Sequence, residues 1–192
     1  MDKKILIGSV VAIIILIAGY FIFFNQSTSI DISSKPKTYS GDVSNLVLPL
    51  ESFPEGYKIV ERTPRTQSDV SDFGLSVGWI EGYNIRYLKG DEENLLDVSR
   101  IELSISRYPL ENVSKGIEKG AYEFEGYLAE ELPNPQIGEG SFVTRYTDEV
   151  WGLRDYQIEF YKKDIFVTLT NGGSSTDYEF LKELAKEVES KI

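Results

Sequence analysis

From Ile5 to Phe24 the chain reads ILIGSVVAIIILIAGYFIFF, a run without a single charged side chain. At 1.5 Å rise per residue such a helix is about 30 Å long, the thickness of a bilayer's hydrocarbon core. A stretch this apolar has no place on the surface of a small globular domain, so it fixes how the rest of the chain is arranged. Lys3 and Lys4 precede it and no Lys or Arg follows until Lys35; the positive-inside rule then puts the N-terminus in the cytoplasm and the C-terminal part outside. Tyr20, Phe21, Phe23 and Phe24 suit the aromatic belt at the outer interface. A cleaved signal peptide starts in the same way, but its apolar region is shorter, roughly 7–15 residues, and ends in small residues. Here Tyr-Phe-Ile-Phe-Phe occupies that place. The expectation is an uncleaved, single-pass signal anchor whose residues 5–24 contact the lipid bilayer, in a cell membrane protein with its C-terminal domain extracytoplasmic.

Three segments follow from this: a cytoplasmic tip and transmembrane anchor over 1–24, a flexible tether over 25–45, and an extracytoplasmic domain over 46–192. The tether (NQSTSIDISSKPKTYSGDVS and onward) is rich in Ser and has no amphipathic period.

The 192 residues include no Cys and no His. Disulfides, thiolate nucleophiles and cysteine metal sites are therefore excluded, as are imidazole bases and the triads built on them. The usual zinc and copper ligands go with them. Net charge is −11, and setting aside Asp2, Lys3 and Lys4 leaves 30 acidic and 18 basic side chains, −12, on the part beyond the anchor. Such a surface repels nucleic acid, whose binding needs clustered Lys and Arg.

Period-two alternation marks strands. Tyr57–Glu61 reads as a short strand. In Trp79–Lys89, Tyr83, Ile85 and Tyr87 share one face, opposite Asn84 and Arg86. In Val98–Arg107, Ile101, Leu103 and Ile105 oppose Arg100, Glu102 and Ser104. The acidic loop Gly90–Asn94 joins these two as a hairpin. Ser141–Thr147, Leu153–Lys162 and Ile165–Thr170 read as three more strands, with a tight turn at Lys163-Asp164 and the sheet ending at Asn171-Gly172-Gly173. Between them Leu110–Leu132 has a helical period through Val113, Ile117, Ala121, Phe124 and Leu128, although Gly116, Gly120 and Gly126 each disfavour helix by about 1 kcal/mol. Thr176–Ile192 is the clearest helix, with Thr176 and Glu179 as a capping box and Leu181, Leu184, Ala185 and Val188 as its apolar stripe. The order predicts an α+β fold, an antiparallel β-sheet flanked by helices.

Chemistry-bearing residues are few. Asp91, Glu92 and Glu93 offer oxygen ligands to a divalent cation but lack the spacing of a calcium loop, so a solvated turn accounts for them as well. Trp79, Tyr83, Tyr87, Trp151 and Tyr156 fall on strands or their turns, where an aromatic face binds a protein or glycan partner; sheet packing explains the same residues more plainly. Trp151 is the least easily placed in a core. Asn112-Val113-Ser114 is a glycosylation sequon. No cofactor motif occurs.

The run Leu132-Pro-Asn-Pro-Gln-Ile-Gly-Glu-Gly-Ser141, the hairpin Ile158–Leu169 and the helix containing Leu184-Ala185-Lys186 resemble the extracytoplasmic domains of the Mog1/PsbP-like fold class. The resemblance covers residues 130–192, and Asp164 departs from it where such hairpins carry Gly. It implies a sandwich of antiparallel sheet and helices with a binding, sensory or assembly role, and it transfers no functional residue. The sequence thus leads to a membrane-anchored extracytoplasmic binding or assembly module without catalytic activity. Two alternatives stand beside it: a carboxylate-dependent enzyme acting on surface glycans, and a structural subunit of an envelope complex.

Overall fold

Seven strands, every neighbouring pair antiparallel, form one sheet in the order β1-β2-β3-β7-β6-β5-β4. They are β1 (Lys58–Pro64), β2 (Glu81–Gly90), β3 (Val98–Arg107), β4 (Tyr127–Glu131), β5 (Gly140–Asp148), β6 (Arg154–Lys162) and β7 (Ile165–Gly173). Among the described residues three helices accompany them: α1 (Asp72–Ser76) and α2 (Lys115–Glu118), each about a turn long, and α3 (Tyr178–Lys191) at the C-terminus. The architecture belongs to a computed structural model and is described for residues 37–91, 97–118, 124–174 and 176–192. Thr38–Ile192 forms one compact unit. The expected anchor over 5–24 and the tether up to residue 36 lie outside the described residues, as do Glu92 and Glu93. Among the described residues no helix is long and apolar enough to cross a membrane.

The expected alternation decides which face is covered. Ile85, Ile101, Leu103, Ile105, Val143, Ile158, Phe160, Val167 and Leu169 are all buried and share one face through the cross-strand register. On this face α3 packs over β6 and β7. It presents Leu181, Leu184, Ala185 and Val188, as its apolar spacing predicts. Burying such side chains is worth about 1.5–3 kcal/mol each, well above what helix propensity alone supplies to 14 residues. Two 3-10 turns, Val43–Leu46 and Leu50–Ser52, cover the β2–β3 half of the same face and bring in Val43, Leu46, Leu48 and Phe53. Lys191 Nζ donates to the Val47 carbonyl at 2.9 Å, and Ser52 Oγ donates to Glu187 Oε1 at 2.9 Å, joining these turns to the helix.

The opposite face is polar. Its β7 end is covered where Phe166 meets Tyr108 edge-on at 6.3 Å and lies against Gly116 of α2. Any side chain at residue 116 would occupy the space of the Phe166 ring. Among the described residues no helix covers the other end of this face.

Four expectations are corrected. The helix expected over Leu110–Leu132 is, among the described residues, only Lys115–Glu118. Leu128 and its neighbours form the edge strand β4 instead, paired with β5 from Tyr127↔Asp148 to Glu131↔Thr144. Gly126, at φ +81°, takes a left-handed conformation that starts the strand. Strand β1 runs on to Pro64 across a bulge between Ile59 and Glu61. Asn171, Gly172 and Gly173 lie within β7 and do not end it. The cap of α3 is Asp177, whose carboxylate accepts from Phe180 N at 3.1 Å, in place of Thr176. The tight turn is as expected, with Lys162 paired to Ile165 and Lys163 at φ +55°.

Candidate functional site

Register carries residues distant in sequence into one line across the open face. Leu88 of β2 faces Arg100 of β3, Arg100 faces Gly172 of β7, and Asp155 of β6 faces Tyr146 of β5. Gly172 and Asp155 adjoin, one step beyond the Asn171↔Tyr156 pair. The next line reads Arg86, Glu102, Thr170, Gln157, Thr144. Since neighbouring strands lie about 4.8 Å apart, Arg100 and Asp155 are two strand spacings from each other with a glycine between them. A Cβ on Gly172 would come within 3.2 Å of Asp155 Oδ1. The missing side chain lets the Asp155 carboxylate lie against the Gly172 backbone, with Arg100 on the strand beyond.

A cavity of about 390 Å³ opens above this glycine, floored by Arg100, Asp155, Gln157 and Thr170 and walled by Tyr127 and Phe124. A second hollow of about 250 Å³ shares Arg100, Asp155 and Tyr127 and extends to Trp151 and Leu153. Phe124, 54% exposed, meets the buried Tyr146 edge-on at 5.4 Å, so an apolar wall stands beside the charged floor. The turn 149–152 adds Val150 and Trp151, 79% and 74% exposed. The backbone N–H groups of both Val150 and Trp151 donate to Asp148 Oδ1, which holds the turn in shape.

Burial raises the Asp155 carboxyl above its ordinary value; the Gly173 N–H and the Arg100 charge oppose this and Asp148 adds to it. Lost hydration is thus what chiefly disfavours its charged form. Arg100 is engaged only loosely, with Nε 3.4 Å from Glu102 Oε1 and both side chains about half exposed. A pair of this kind contributes about 0–1 kcal/mol and exchanges readily for a better anion. A hollow of about 440 Å³ between Pro54, Lys89, Asp97 and Phe180 lies elsewhere. Its charged residues Lys89, Asp97 and Asp177 are all exposed, so it lacks a desolvated group.

The residues singled out in the sequence do not assemble in one place. Tyr87 belongs to the core, fully buried with its hydroxyl donating to the Leu48 carbonyl, and presents nothing to a partner. Trp79 Nε1 donates to Ser106 Oγ at 3.3 Å, beside Arg65, which donates to Ser104 and Ser106. Tyr83 accepts from Arg62 Nε. The Tyr156 ring lies 5.6 Å from that of Tyr178 on α3. Trp151 alone of the five is strongly exposed beside the groove. Asn112 donates through Nδ2 to the Val77 carbonyl and accepts from Lys115 Nζ. Asp91 is exposed, and among the described residues no three acidic side chains converge as metal ligands. Tyr156 and Trp151 line the two hollows, but the other lining residues carry no joint signal in the sequence, because several separate strands supply them. One signal existed, Gly172-Gly173 following a strand pattern. Glycine inside a strand often marks the close approach of a ligand or another backbone.

No known protein family and no curated protein matches the sequence. Among solved structures, the extracellular domain of PknH from Mycobacterium tuberculosis is similar with a TM-score of 0.61 at 8% identity, over 82% of this chain and 98% of that one. An uncharacterised protein of Mycobacterium smegmatis, the Rv0999 ortholog, aligns with a TM-score of 0.48 at 12% identity, over 78% of this chain and 96% of that one. The likeness to the PknH domain, an extracellular one, is a likeness of fold.

Proposed function

We propose that this chain is a membrane-anchored extracytoplasmic binding module, without catalytic activity, that takes a small ligand into the groove above Gly172. The observation that carries the reading is the line Arg100–Gly172–Asp155, two opposed charges held apart by a residue with no side chain under a cavity of about 390 Å³. That volume is in the range of small-molecule sites, and the mix of aromatic wall and few polar groups is their usual chemistry. The apolar run over 5–24 supports the anchor, and its flanking charges support an outside location. The fold shared with an extracellular domain agrees with this, as does the Mog1/PsbP-like resemblance of 130–192. The carboxylate-enzyme alternative asks for a second carboxyl facing Asp155 across the cleft. Glu125 in the same lining and Asp148 in the adjoining hollow are the carboxyls open to it, but the group abreast of Asp155 across Gly172 is Arg100.

The test is a thermal-shift screen of the full chain in detergent micelles against small amines, amino acids, sugars and nucleosides. At least one class is expected to raise Tm saturably, and Gly172→Val, which puts a side chain against the Asp155 carboxylate, is expected to abolish that shift. A screen in which nothing shifts Tm, or a compound that is turned over, overturns the reading.

A further inference from the structure

Resting on that binding reading, the geometry points to a small zwitterion as the ligand: an α-amino acid with an apolar or aromatic side chain. Arg100 presents a guanidinium, which pairs a carboxylate in bidentate fashion. Asp155, on the far side of Gly172, is a partly desolvated carboxylate with only one backbone N–H and a distant guanidinium in support. An ammonium gives this partly desolvated carboxylate a counter-charge with hydrogen-bond donors in place of lost water. Thr170 and Gln157, one row along, offer a hydroxyl and an amide to the remaining donors and acceptors of the same backbone-like head. Phe124 and Tyr127 stand beside these polar groups and receive an apolar side chain.

Charge separates this ligand from the other small classes. A neutral sugar leaves both Arg100 and Asp155 less hydrated than in the empty groove without giving either a counter-charge. A polyamine suits Asp155 but is set against Arg100. A simple anion suits Arg100 but meets Asp155, Glu125 and the −12 of the surrounding part of the chain. Only a ligand with both charges, close together and net neutral, satisfies the two sides at once. The cavity also fits a single residue better than a polymer, being near the small end of ligand sites.

The experiment is isothermal titration of the full chain in micelles with phenylalanine, leucine, phenylalaninamide, N-acetylphenylalanine, cellobiose and spermidine. Phenylalanine and leucine are expected to bind. The amide, without a carboxylate, and the N-acetyl form, without an ammonium, are each expected to bind about 30-fold more weakly or worse. Two substitutions at partly or fully exposed positions make the pairing specific. Arg100→Gln should weaken phenylalanine but not the amide, a cation it no longer repels, and Asp155→Asn should weaken phenylalanine but not the N-acetyl form, an anion it no longer repels. If each variant instead weakens all forms alike, the charge pairing is wrong. Binding of cellobiose or spermidine with no response to amino acids sinks the ligand class but leaves the groove a binding site. Absence of heat and of any Tm shift with all six compounds and with the wider screen removes both.

Discussion

The Tyr87 hydroxyl of β2 donates to the Leu48 carbonyl at 2.6 Å, and both residues are fully buried between the sheet and the N-terminal turns. Phe53 stacks on the same ring at 4.1 Å between centroids. Burial raises the phenol well above its ordinary pKa, so it stays a neutral donor throughout the accessible pH range. Tyr87→Phe keeps the packing but leaves the Leu48 carbonyl without this donor. It is expected to destabilise the domain by about 1–3 kcal/mol in urea unfolding, with an unchanged m-value.

Asp177 caps α3 where the sequence pattern pointed to Thr176. Asp177→Ala is expected to cost about 0.5–2 kcal/mol, because the Phe180 N–H loses its acceptor. Thr176→Ala should lie within about 0.5 kcal/mol of the parent. Equal losses at the two positions in chemical denaturation would reassign the cap.

Ionised Asp155 is expected to lower the stability of the domain that carries it. Its folded pKa is raised, so the folded state holds the proton more tightly than the unfolded chain does. Stability on this account is greatest below the unfolded carboxylate value, about 3.9, and falls as pH rises through the folded pKa. The groups facing it are Arg100 from β3, Asp148 and Tyr146 from β5, Tyr127 from β4, Glu125 and the Gly173 N–H. Asp155→Asn keeps an oxygen for that N–H and cannot ionise. The variant should melt higher than the parent at pH 7, with the gap closing as the pH is lowered to about 3.5. A gap that is constant with pH would show that ionisation of Asp155 is not its source.

The apolar run over 5–24 predicts that the full chain stays in the membrane pellet after alkaline carbonate washing. A chain beginning at Thr38 should appear in the soluble fraction with its Tm unchanged within a few degrees. Release of the full chain by carbonate would show that the run does not span.

Strands were readable wherever one face is buried and the other wet. In β3, Ile101, Leu103 and Ile105 alternate with Arg100, Glu102 and Ser104, and the burial follows the letters. β4 was not readable, because all five of its residues are exposed and nothing in Tyr127–Glu131 alternates. Its Leu128 instead joined a false helical series with Val113, Ile117 and Phe124. The conformations of Gly116 and Gly126 break that series physically, one against Phe166 and the other at positive φ. The groove was hidden for a different reason. Arg100, Asp155 and Gly172 are unremarkable singly, and only the register of β3 on β7 and β7 on β6 brings them abreast. Register is a property of paired strands, so no single segment contains it.

The two borders of the sheet have a bearing on how copies of this chain meet. β1 is bent by its bulge at Val60 and finishes in Pro64, and it carries Lys58, Glu61 and Arg62. β4 is five residues long and finishes in Glu130 and Glu131, with Arg145 reaching out to pair with Glu130. Neither border offers a neighbour a long, straight rail of free amides and carbonyls. Copies held side by side would slide past one another as separate bodies, and the sheet would stop at seven strands instead of zipping into a ribbon.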